Sequence, residues 1–96
     1  MKKYLAIGHF ADNKNGTISV AMEAHSVKDF RGQLMGNTFI PYVVITEKKF
    51  ETLRNLDSFE LFEEVKKMTS NYRKWNHIVD YIEQCFDIME ERLNNL

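Results

Sequence analysis

From Tyr72 to the end of the chain, apolar side chains recur at alternating three- and four-residue steps: Tyr72, Trp75, Val79, Ile82, Phe86, Met89, Leu93 and Leu96. Only a helix brings such positions onto one stripe, so the spacing predicts one long helix from Ser70 to near the end. The stripe must then be covered, and the residues before it have to supply the cover. Ile78 and Cys85 fall beside the seam, with Tyr81 and Ile88 on its flank. A simple coiled-coil seam carries charge at its flanking positions. Here the apolar arc is wider. Such a helix can bury one side on its own sheet and the other on a second copy. A homo-oligomer is therefore expected, with Val79, Ile82, Phe86, Met89 and Leu93 as its candidate interface.

The cover is β structure. Tyr4–Phe10 is apolar on both sides of the alternation, which predicts a central strand. "DNKNG", 12–16, is a cluster of turn formers that closes a hairpin, with Asn15 or Gly16 expected at positive φ. In 17–24, Ile18, Val20, Met22 and Ala24 alternate with Thr17, Ser19, Ala21 and Glu23, as in a half-buried strand. Ser26 then caps a short helix carrying Val27, Phe30 and Leu34. A third strand spans 38–45. Its Pro41 cannot donate to a ladder, which places the strand at an edge or a bulge. Gly8 inside the first strand points to a bulge or to close approach of another backbone.

Two more helix starts follow. Thr46 caps a segment carrying Phe50 and Leu53. "LDSFEL" places Asp57 three residues before Glu60, a capping box, with Leu56 and Leu61 as a hydrophobic staple. That helix should run to about Met68 and bury Phe59, Phe62, Val65 and Met68. The whole is a single α+β domain over residues 1–96: a small three-stranded antiparallel sheet in β-β-α-β order, with helices on one face and a long amphipathic helix at the C-terminus.

Candidate chemistry is sparse. "TSNYRKWN", 69–76, sets Tyr72 and Trp75 around Arg73 and Lys74. One reading is the first turn of a core helix with two solvated cations. The other is a ligand site, because stacked aromatics with basic neighbours hold nucleotides and other anions. Tyr72, Arg73, Lys74 and Trp75 are the candidate ligand-binding residues. His9 joins them, since a polar group in an apolar strand needs a partner or an opening. His77 and Asp80, three apart on a helix, are placed to pair. No metal site is expected, because no histidine has a second ligand at metal spacing. No catalytic residue stands out: the serines lie mostly at helix caps, Cys85 sits mid-helix, and the four glycines form no phosphate loop.

Composition narrows the field further. The net charge is −1, which argues against general nucleic-acid binding. The charge is uneven. Residues 1–54 hold eight Lys or Arg against five Asp or Glu, while 79–96 hold one against five. One cysteine excludes an internal disulfide and fits a reducing compartment. No apolar run approaches a membrane span, so a cytoplasmic protein without a cofactor is expected.

The segment "KYLAIGHFADNKNGTISVAMEAHSVKDF" is similar in outline to the opening hairpin and helix of HicB-type antitoxins. The likeness covers under a third of the chain. The proline-glycine segment expected between strand and helix is absent, and no ribbon-helix-helix pattern follows. In composition, the short, motif-free chain rich in aromatics, Lys and Asn resembles small accessory proteins of phages and mobile elements. That resemblance implies a non-enzymatic inhibitor, anti-defence in character, that binds and blocks a host protein. The alternative is an oligomer that sequesters a nucleotide or other small anion at subunit junctions.

Overall fold

A computed structural model describes all 96 residues, Met1–Leu96. Three strands, β1 (Lys2–Phe10), β2 (Ile18–Ala24) and β3 (Phe39–Thr46), form one antiparallel sheet in the order β2-β1-β3. Four α-helices accompany it: α1 (Val27–Gly36), α2 (Glu47–Leu53), α3 (Ser58–Met68) and α4 (Trp75–Asn94). The expected α+β architecture holds, and β1 is the central strand.

The helix starts are where local chemistry placed them. The Ser26 hydroxyl accepts from the Asp29 N–H at 3.1 Å, Thr46 from Lys49 at 3.1 Å, and Asp57 from Glu60 at 2.8 Å. Each satisfies an N–H that the first helical turn leaves unpaired. The hairpin turn departs from expectation, because no residue in it has positive φ. Seven residues join the strands, and two successive turns close them, Asn13 N–H to Phe10 O and Gly16 N–H to Asn13 O. A connection this long does not need the left-handed pair of a two-residue hairpin. The one positive φ is 56° at Thr38, between α1 and β3.

Helices cover both faces of the sheet, not one. On one face, Tyr4, Ala6, Ala24 and Phe39 pack with Phe30 and Leu34 of α1. On the other, Leu5, Ile7, Val43 and Ile45 pack with residues of α2, α3 and α4. The physical reason was already in β1. A strand apolar on both sides of its alternation leaves an exposed apolar face unless both are covered.

β3 carries an irregularity that positions the site. Ile7 pairs with Val43 but Gly8 pairs with Pro41, so Tyr42 is skipped in the ladder. Such a bulge sends two consecutive residues to one face. Tyr42 and Val43 accordingly lie in the same core cluster, with α4, while Val44 packs with α1. Gly8 is required there. A Cβ on it would run into the Ile40 carbonyl oxygen and come within 2.8 Å of Pro41 Cα.

The last helix differs from one straight rod. Tyr72–Lys74 forms a 3-10 turn ahead of α4, and Cys85 leaves helical geometry at φ −122°, ψ 22°. Ile78, Val79, Ile82, Met89 and Leu93 are buried against the sheet and the neighbouring helices.

Candidate functional site

The end of β1 that carries His9 meets the bulge of β3 and the start of α4. His9 follows Leu5 and Ile7 onto the α4 face and finds the partner it needs, with its Nδ1 2.7 Å from the Tyr42 hydroxyl. The His77 ring stands edge-on to Tyr42, with centroids 6.1 Å apart, and Lys74 Nζ lies 4.8 Å from the Tyr42 ring centre. The bulge is what aims Tyr42 at these three groups. His77 Nε2 hydrogen-bonds the Thr17 hydroxyl across the hairpin, so it does not take Asp80 as its partner.

A chain of hydrogen bonds ties this cluster to the next. Thr69 Oγ1 donates to the Tyr42 carbonyl at 3.1 Å, and Trp75 Nε1 donates to the Thr69 carbonyl at 2.9 Å. The Trp75 ring packs edge-on against Phe62 at 6.2 Å and Tyr72 at 6.4 Å. Lys66 Nζ sits 5.4 Å from the Phe62 ring centre, and the Arg73 guanidinium lies 5.8 Å from that of Tyr72. Three cations thus lie over aromatic faces in one region, and the ring quadrupole favours each contact. Lys66 also pairs with Glu63 at 3.4 Å. Neither Arg73 nor Lys74 forms an ion pair.

The structure therefore gathers the candidate ligand-binding residues, His9, Tyr72, Arg73, Lys74 and Trp75, at one end of the sheet. They form two neighbouring groups, His9 with Lys74 and Tyr72 with Arg73 and Trp75. Tyr42, His77, Thr17, Lys66 and Phe62 join them unforeseen. Tyr42 was hidden because strict alternation in β3 puts it on the α1 face. The Pro41 signal for a bulge was the clue that could have moved it.

Three sequence expectations change. Tyr72 is 65% exposed and lies outside the core, because a 3-10 turn advances three residues per turn and breaks the stripe's register. Phe59 is 72% exposed. α3 buries Leu61 and Val65, four residues apart, and two residues back along a helix is the opposite side. The interface residues Val79, Ile82, Met89 and Leu93 are buried within their own chain, and Phe86 is half-buried against Phe50. These middle positions of the stripe serve the chain's own core, while Ile88 on its flank and Leu96 at its end stay exposed.

The surface carries four clefts, and none is lined by Tyr72, Arg73, Lys74 or Trp75. No three His, Cys, Asp or Glu side chains converge as metal ligands, and no helix is long and apolar enough to cross a membrane. No protein-family model, no curated protein and no solved structure matches the chain.

Proposed function

We propose that this is a small non-enzymatic interaction protein that docks a partner protein on the face formed by Tyr72, Arg73 and Lys74. The observation that carries the reading is Tyr72. It is a large ring 65% exposed, with a guanidinium over it and no concavity around it. Small-molecule sites are concave. Tyr, Trp and Arg are the residues most enriched at the hot spots of protein interfaces. Two cations without ion-pair partners favour an acidic surface on the other side. In the setting that the composition resembles, a phage or mobile-element accessory protein, docking would occlude a host component.

The test is a photo-crosslinking amino acid at position 72, irradiated in cells, with the captured protein then purified. Its affinity is measured against the unmodified chain and against Arg73→Glu and Lys74→Glu, with the single Trp75 as a fluorescence reporter. Native mass spectrometry of the free protein reads the subunit number alongside. The expected result is affinity about tenfold or more weaker in either variant, with salt weakening the wild-type complex. An affinity that both charge reversals leave unchanged overturns the proposal.

A further inference from the structure

The opposite end of β1 opens onto the largest cleft of the surface, about 620 Å³, within the size range of small-ligand sites. Its lining includes Lys2, Lys3 and Tyr4 at the start of β1, Val27 at the start of α1, and Glu47 and Lys48 in the first turn of α2. We propose that this cleft binds a phosphorylated small molecule with a compact apolar or aromatic body.

Charge is the first argument. Three lysines face one carboxylate, and the only ion pair among them is Lys3 with Glu47 at 4.0 Å. Lys2 and Lys48 have no carboxylate partner. Gathering like charges around one hollow raises the local positive potential and concentrates anions there. The neighbouring cleft between α2 and α4 has the opposite balance, with Glu47, Glu51 and Glu90 around Arg54. Shape is the second argument. The same lining includes Val27, 40% exposed, and Tyr4, which is buried. A lining that combines apolar side chains with flexible point charges suits a ligand with a phosphate head and an apolar body. Lysine, as a point charge, meets phosphate without demanding a fixed geometry. The Tyr72 face lacks any such hollow, so a small-anion ligand is assigned here instead.

The probe is ADP, with adenosine as the uncharged control, titrated into the ¹⁵N-labelled protein. ADP should shift the backbone amides of Lys2, Lys3, Val27 and Lys48 and leave those of Tyr72–Trp75 in place. Adenosine should bind about tenfold or more weakly. Lys48→Gln should weaken ADP by about tenfold, and Lys2→Gln with Lys48→Gln by more. Thermal melts confirm that these surface variants fold. Arg73→Glu should bind ADP as the wild type does, which separates this site from the docking face. No amide shift at millimolar ADP overturns the proposal. So do shifts centred on Tyr72–Trp75, equal affinity for adenosine, wild-type affinity in the double variant, or a response to anionic lipid vesicles but not to ADP.

Discussion

Tyr42 and Val43 are neighbours in the chain, yet both side chains lie on the α4 face of the sheet. A regular strand would send them to opposite faces. The skipped pairing between Ile7–Val43 and Gly8–Pro41 is the cause. Through it, Tyr42 comes within hydrogen-bonding distance of His9 and under Lys74.

Gly8→Ala tests that arrangement. The added methyl meets the Ile40 carbonyl and Pro41 Cα, both backbone atoms that cannot move aside cheaply. The expected cost is about 2–3 kcal/mol, as for overpacking elsewhere. Urea unfolding measures it. A midpoint equal to that of the wild type would show that the bulge does not depend on a glycine here.

Tyr42→Phe removes the hydroxyl and leaves the ring. His9 then loses its partner while the cation over the ring remains. The loss should be about 1 kcal/mol with the fold intact. The His9 ring nitrogen shifts should change in the NMR spectrum. Unchanged shifts would mean that the pair is not formed in solution.

Ile82 and Phe59 were both expected to be buried, and only Ile82 is. Ile82→Asp places a charge among packed apolar groups and should unfold the chain, with a loss of about 4 kcal/mol or more. Phe59→Asp should stay folded, within about 0.5 kcal/mol of the wild type. Circular dichroism separates the two. If Ile82→Asp remained folded and merely changed its oligomeric state, α4 would be an interface helix after all.

Acid should weaken the fold through two carboxyls, Asp57 at the surface and Glu64 half-buried. The Glu60 backbone N–H holds the Asp57 carboxyl below the usual aspartate range, and the Lys49 ammonium does the same for Glu64. A folded-state value depressed below the unfolded one adds stability above the unfolded pKa, and that stability is lost as pH falls through the folded value. The loss should set in below about pH 4. Asparagine caps as well as aspartate but does not titrate. Asp57→Asn should therefore flatten part of the acid limb in melts recorded from neutral to acidic pH. An acid limb as steep as the wild type's would remove Asp57 from that account.

Local chemistry made much of this fold legible in the sequence. Each cap at Ser26, Thr46 and Asp57 is a contact over three residues, so its partners are fixed by spacing alone. β1 announced its central place by being apolar on both sides, and Pro41 announced an edge or a bulge, of which β3 has both. The middle of the α4 stripe, Val79, Ile82, Met89 and Leu93, was likewise plain as a buried face. What covers that face was not. Periodicity states that a surface must leave water, and burial is non-directional, so it cannot say whether the cover is the chain's own sheet or a second copy. Tertiary packing lays these four side chains against the chain's own sheet and the helices α2 and α3. It also placed α1 alone on the far face and turned Tyr42 toward His9 and Lys74. Those outcomes depend on pairing between β1 and β3, more than thirty residues apart in the case of His9 and Tyr42, and no local pattern encodes which residue a bulge will skip.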